Sequence, residues 1–125
     1  MAKLVGIDFG TKRVGVAVSD ESGSVAFPKT TLANDRALIP TLVSLIQAEN
    51  ASTVIVGESH DMNGNDNAVM DAVRSFVADL EQAIAVTIVY EPEVYSSREA
   101  RREGQQGSVD AQAAAIILNS FITRT

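Results

Sequence analysis

Three acidic positions in this 125-residue chain fall where an element of structure begins or ends. They are Asp8, in Val5-Gly6-Ile7-Asp8-Phe9-Gly10; the pair Glu91 and Glu93, on either side of Pro92; and Asp110, just after Ser108 and Val109. Carboxylates brought together repel one another unless they are protonated or bridged by a cation. Hard oxygen donors in a chain with no Cys favour Mg²⁺ or Mn²⁺. A pair of such ions about 3.5–4 Å apart activates water and stabilises a leaving oxygen, so the chemistry on offer is phosphodiester hydrolysis. Asp8 carries the clearest signal, because a carboxylate inside an apolar segment is costly to bury. Asp110 at a helix start is also what the helix dipole favours, and Glu91 and Glu93 are also what a solvated turn around Pro92 would contain. For these three, residue type alone leaves both readings open.

Other polar groups offer less. His60 and Asp61 sit in Glu58-Ser59-His60-Asp61-Met62-Asn63-Gly64, a composition common in turns, and His60 has no second His with which to share a metal. Arg98, Arg101 and Arg102 form a cationic group that suits either phosphate contact or a solvated helix face. The absence of Cys excludes disulfides, thiolate zinc sites and a Cys nucleophile, and one His leaves little for a His-based triad. The net charge of −6 argues against broad attraction to polyanions, though not against a locally basic groove.

The elements that must position these groups are read from periodicity. Lys3 to Phe9 is an apolar strand, and Arg13 to Ser19 alternates Val14, Val16 and Val18 with Gly15 and Ala17 as a second. A third short strand, Ser24 to Phe27, is closed by Pro28, which makes the opening third an antiparallel meander. Leu38, Leu42, Leu45 and Ile46 follow helical spacing, with Asn34 or Asp35 as N-cap. Thr53 to Val56 is a buried strand cut off by Gly57. Val69, Val73, Phe76, Val77, Leu80 and Ile84 form the stripe of a second long helix. Val86 to Tyr90 is the fifth strand, followed by a short helix over Ser96 to Glu103 and a last helix from Ser108 to about Phe121. Tight early turns require antiparallel pairing and helix-length crossovers require parallel pairing. The expectation is one α/β domain over 1–125, a mixed five-stranded sheet with helices on both faces in a ribonuclease H-like succession. The first residues are too short and too soon charged for a signal peptide, and no apolar run approaches the roughly 18 residues of a membrane span, which points to the cytoplasm.

Gly6-Ile7-Asp8-Phe9-Gly10-Thr11-Lys12-Arg13-Val14-Gly15-Val16-Ala17-Val18-Ser19-Asp20 closely resembles the opening motif of the YqgF family. Its members are described as pre-16S ribosomal RNA nucleases or Holliday junction resolvases with a ribonuclease H-like fold. Val54-Ile55-Val56-Gly57 with Met62-Asn63-Gly64, and Val109 to Phe121, resemble two further family segments, so the resemblance spans essentially the whole chain. The family carries a Glu within Asp-Glu-Arg, followed by small hydroxylated residues and Glu-Ala. Matching Ser96-Ser97 and Glu99-Ala100 to those positions places Glu93 on that Glu, with Pro92 and Val94 replacing its neighbours and Glu91 as an alternative acid. Glu58 to Asp61 also departs from the apolar residues and Pro of many relatives, which marks a divergent branch.

The resemblance implies that Asp8, Glu93 and Asp110 are the catalytic set and the ligands of Mg²⁺ or Mn²⁺. It implies an endonuclease on structured nucleic acid, with precursor 16S rRNA as the expected substrate, branched DNA as the alternative, and ribosomal association in prospect. Lys12, Arg13, Arg98, Arg101 and Arg102 are the expected phosphate contacts. Two rival readings remain in view. A non-catalytic nucleic-acid-binding module of the same fold would suit the altered Glu segment and the acidic charge. The Ile7 to Thr11 segment also resembles the first phosphate motif of actin-like ATPases and sugar kinases, but those clamp ATP between two such domains and this chain has room for one.

Overall fold

The computed structural model describes residues 3–58, 68–92 and 106–124. Alternation in the apolar strands settles how they are used. β1 (Lys3–Phe9) pairs antiparallel with β2 (Arg13–Ser19), and β2 pairs antiparallel with β3 (Ala26–Ala33). β4 (Ala51–Glu58) lies parallel to β1, and β5 (Thr87–Pro92) lies parallel to β4. The resulting sheet has the order β3-β2-β1-β4-β5, the mixed arrangement expected.

Successive strand residues point to opposite faces. Val5, Ile7, Val14, Val16, Val54 and Val56 therefore share one face, where they pack against α1 (Leu38–Glu49) and α2 (Ala68–Ala83) through Leu42, Ile46, Val73, Phe76 and Leu80. Ala17 and Ile55 belong to the other face, covered by α3 (Gln106–Arg124) through Ala114, Ala115, Ile117 and Leu118. Two of the strand residues under α3 are glycines for a reason. A Cβ on Gly6 would lie 2.8 Å from Leu118 Cβ, and one on Gly15 would lie 1.8 Å from the carbonyl oxygen of Asp110. Each distance is shorter than atoms can approach, so these glycines let the helix backbone rest on the strands. Among the described residues, no helix is long and apolar enough to cross a membrane.

Several element boundaries differ from the sequence expectation, and α3 runs over Gln106–Arg124, longer than the expected Ser108 to about Phe121. β3 begins and ends later than expected, continuing through Pro28 to Ala33. It is an edge strand, where a missing N–H costs nothing on the open side, and the register shifts between Val16 and Ala17 opposite Thr30 and Pro28. β4 continues through Gly57, which is paired with Glu91. β5 includes Glu91 and Pro92, again at a sheet edge, so Glu91 belongs to a strand and not to a solvated turn. The expected helix over Ser96 to Glu103 lies outside the described residues.

Asn34 and Asp35 also act differently from the caps anticipated. Asp35 accepts the backbone N–H of Ala37 at 2.9 Å in the turn before α1, and the helix N-cap itself, Ala37, has no side-chain cap. Asn34 instead reaches back to the β1–β2 turn. Its amide donates to the Gly10 carbonyl at 2.8 Å and its backbone N–H donates to the Lys12 carbonyl at 3.0 Å. The turn that carries Lys12 and Arg13 is thereby fixed from outside.

Candidate active site

Asp8 lies one residue from the end of β1, on the same face as Leu4 and Gly6, the face covered by α3. Phe9 points the other way and stacks on Phe76 with ring centroids 4.9 Å apart, which anchors the strand end that presents Asp8. Asp8 is 2% exposed. Its Oδ1 is buried and accepts no hydrogen bond from the described residues, although the side chain as a whole does have a polar interaction.

Asp8 is paired across the sheet with Gly15, and paired Cα atoms lie about 4.5–5.5 Å apart with both side chains on one face. Gly15 is also where the first turns of α3 touch the sheet, through the Asp110 carbonyl. One glycine thus brings the backbone of Asp110 to the flank of Asp8. Asp110 is buried, and its Oδ2 accepts a charge-assisted hydrogen bond from Arg13 Nε at 2.6 Å. Arg13 stands two residues before Gly15 in β2, so alternation aims it at the same face. Lys12, next to it in the turn, is exposed.

Glu91 is used differently. It is 2% exposed and in register with Gly57, itself one strand away from the Asp8 level of β1. Adjacent strands lie about 4.8 Å apart, which puts Glu91 about 10 Å from Asp8 along the row. Oε2 accepts Ser120 Oγ at 2.9 Å and Arg124 Nε at 3.4 Å, and Oε1 pairs with the Arg124 terminal nitrogen. The carboxylate holds Arg124 above its ordinary pKa. Both oxygens are taken up in fastening β5 to the last turns of α3, so Glu91 is an anchor and has little left to offer a ligand.

The structure therefore brings together Asp8, Asp110 and Arg13, with Lys12 beside them. Glu93, Arg98, Arg101, Arg102, His60 and Asp61 lie outside the described residues. Among the described residues, no three acidic or His side chains stand close enough to hold a metal; Asp8 and Asp110 supply two of the expected three acids. Sequence reasoning missed the part played by Gly15, the Arg13–Asp110 pair and the Glu91–Arg124 anchor. The first had a signal in the text: β2 alternates valines with Gly15 and Ala17, so the face opposite the valines had to meet something at close range. The two ion pairs join residues far apart in sequence and left none.

A family model described as "RuvX: Holliday junction resolvase" matches residues 2–124. A protein of Salinibacter ruber named "Putative pre-16S rRNA nuclease" is 38% identical, over 99% of this chain and 94% of its own length. One of the same name from Nitratidesulfovibrio vulgaris (strain Miyazaki F) is also 38% identical, over 96% and 92%. Among solved structures, Thermus thermophilus RuvC in complex with a Holliday junction substrate superposes with a TM-score of 0.64 at 16% identity, covering 98% of this chain and 95% of that one. The fowlpox virus Holliday junction resolvase gives 0.57 at 11%, covering 98% and 99%. At such identities the likeness establishes the fold, the ribonuclease H-like fold of these resolvases. With a family match over nearly the whole sequence and relatives alike over nearly their full lengths, the chain belongs to the RuvX (YqgF) family.

Proposed function

We propose that this chain, as a single ribonuclease H-like domain over 1–125, is an endonuclease that hydrolyses phosphodiester bonds in structured nucleic acid. Precursor 16S rRNA is the favoured substrate, because relatives alike over nearly their full lengths are named for that activity; a cytoplasmic location and association with the ribosome go with that substrate as part of the proposal. The observation that carries the reading is the placement of Asp8. Asp8 is a carboxylate buried at a strand end, and it is set beside the backbone of a second acid, Asp110, through a contact that only glycine permits. A four-way DNA junction is the second reading, supported by the family description and by the resolvase fold.

The donor set fits Mg²⁺ or Mn²⁺. Asp8 and Asp110 are hard oxygen donors brought to Gly15 from either side, and no thiolate competes in a chain without Cys. Asp8, Asp110 and Glu93 would hold the ion, which when bound polarises the scissile phosphate and offsets the charge that develops there. The chain's own residues do the rest. Asp8 presents a carboxyl group that is itself buried from solvent. Arg13 and Lys12, on a turn clasped by Asn34, together with Arg98, Arg101 and Arg102, neutralise substrate phosphates around this acidic centre.

The deciding experiment is cleavage of matched precursor rRNA and four-way DNA junctions by wild type and Asp8→Asn, in Mg²⁺, Mn²⁺ or EDTA. Wild type is expected to cut in either metal and not in EDTA. Asp8→Asn is expected to fold normally yet lose at least about 100-fold in rate, since it deletes an anionic ligand at nearly constant volume. Undiminished cleavage by the folded variant would exclude the reading.

A further inference from the structure

Asp110 is a buried carboxylate with a cation already on it. Arg13 Nε lies 2.6 Å from its Oδ2, and the arginine side chain is 42% exposed while that of Asp110 is 13% exposed. One end of this pair is therefore packed and the other opens outward. The packed end is held by backbone, since α3 rests on Gly15 through the Asp110 carbonyl. The open end stands beside exposed Lys12 on the β1–β2 turn, the place where a phosphate backbone would first meet positive charge. A guanidinium satisfies a carboxylate or a phosphate with the same planar set of donors. A divalent cation and a guanidinium compete for the same carboxylate charge.

Resting on the nuclease reading above, we propose that Arg13 is an exchangeable counter-ion: it occupies Asp110 while the groove is empty, and moves to a substrate phosphate when nucleic acid docks, releasing Asp110 to a divalent cation. Substrate binding and metal binding are thereby coupled through one side chain, and such a coupling is reciprocal. Arg13 is a positioning residue in this scheme. It sets when Asp110 is available, and it explains how an acidic site can stay ordered before either ligand arrives.

The test uses the full chain and reads binding, not cleavage. Mn²⁺ affinity is measured calorimetrically without nucleic acid for wild type, Arg13→Gln, Arg13→Lys and Asp8→Asn. Affinity for a four-way DNA junction is measured in EDTA for wild type, Asp110→Asn, Arg13→Gln and the double variant. Arg13→Gln is expected to bind Mn²⁺ about 10-fold more tightly than wild type, because a positive charge a few ångströms from the ion has gone, whereas Arg13→Lys should stay within about twofold and Asp8→Asn should lose binding. In EDTA, Asp110→Asn should bind the junction about 5-fold more tightly, by freeing Arg13, and should gain much less when Arg13 is already Gln. Equal gains in the two backgrounds, or Asp8-dependent Mn²⁺ binding unchanged by Arg13→Gln, would overturn the exchange and leave the nuclease reading standing. Absence of any Asp8-dependent Mn²⁺ binding would overturn both. Should Arg13→Gln not fold, the single variant Asp110→Asn still decides, since junction affinity equal to wild type in EDTA contradicts the release of Arg13.

Discussion

The two ends of α3 each hold a buried acid against an arginine, and they are not equivalent. Near its start, Asp110 takes one donor among the described residues, Arg13, and its backbone lies over Gly15, the cross-strand partner of Asp8. Near its finish, Glu91 has both oxygens engaged, by Ser120 and Arg124. Asp110 and the residues that hold Glu91, Ser120 and Arg124, are roughly 15–21 Å apart along the helix, so these are separate environments. Burial alone does not distinguish them, since Asp8, Glu91 and Asp110 are all buried. The distinction is how much of each carboxylate's capacity the fold has consumed. A carboxylate whose oxygens are both engaged holds elements together, and one set next to another acid with capacity to spare is placed for a ligand. The helix uses the first kind to fix its far end on β5 and thereby steadies the second kind at its near end.

The largest expected effect comes from breaking the steadied end. Gly15→Ala puts a methyl group where the Asp110 carbonyl already lies, and backbone cannot give way as a flexible side chain can. Overpacking of this kind costs about 3 kcal/mol, a fall in Tm of roughly 10 °C or more. Cleavage should fall by at least about 100-fold even well below the new Tm, because a displacement of about 1 Å at reacting groups is enough for that. A variant that melts early yet cuts at the wild-type rate would show that the contact between α3 and β2 has no part in placing Asp110.

A smaller effect separates the two glutamates that flank Pro92. If the comparison between exhausted and available carboxylates is right, Glu91→Gln lowers Tm by a few degrees, because the pair with Arg124 loses its charge while Ser120 keeps a partner. Its cleavage rate should stay within about threefold of wild type. Glu93→Gln should do the reverse, losing about 100-fold or more in cleavage with Tm unchanged. Measuring both quantities on both variants makes the outcome unambiguous. A reversed ranking would mean that the register of this segment is off by two residues and that Glu91 leaves Arg124 to act in the site.

How much of this was legible in the sequence follows from which interactions are local. β1 and β2 were readable to the residue, because the alternation of valines with small residues is a property of neighbours. The antiparallel start and parallel finish of the sheet followed from connection lengths alone. The ends of β3, β4 and β5 were not readable, and Pro28, Gly57 and Pro92 explain why. Each is a poor residue for a strand interior; a place at the sheet edge makes the two prolines acceptable, and pairing with Glu91 of β5 carries β4 through Gly57. Edge position is a fact of the whole sheet and is absent from any short window. The same holds at the site. Asp8 was legible because a carboxylate among apolar residues is conspicuous by itself, whereas Glu91 resembled a turn residue until its partners, in the last turns of α3, were known.

The smallest expected effect tests the comparison on the opposite side of the sheet, with a third engaged carboxylate. Glu49, at the end of α1, accepts Lys3 at 2.9 Å on one oxygen and lies 3.2 Å from Lys29 on the other. The hydrogen bond from Lys3 and then that from Lys29 hold its pKa below the ordinary value of 4.5, against the opposing pull of burial. A carboxylate depressed on folding contributes stability that is fully present above its unfolded pKa and is lost as pH falls through the lower folded value. Glu49→Gln should therefore lower Tm slightly at neutral pH and flatten the decline of Tm with acid in the window below about 4.5. The pair is partly exposed, so the neutral-pH loss should stay below about 1 kcal/mol. Lys3, whose pKa is raised chiefly by the same hydrogen bond to Glu49, gives the mirror image: its contribution is present below 10.5 and fades as pH rises through the higher folded value. Cleavage at neutral pH should be the same with Gln at position 49 as with Glu, because this carboxylate, like Glu91, is spent on holding elements together. A variant whose Tm keeps the wild-type acid limb while its cleavage falls would mean that engagement of both oxygens does not mark a structural carboxylate, and the distinction drawn between the two ends of α3 would fail with it.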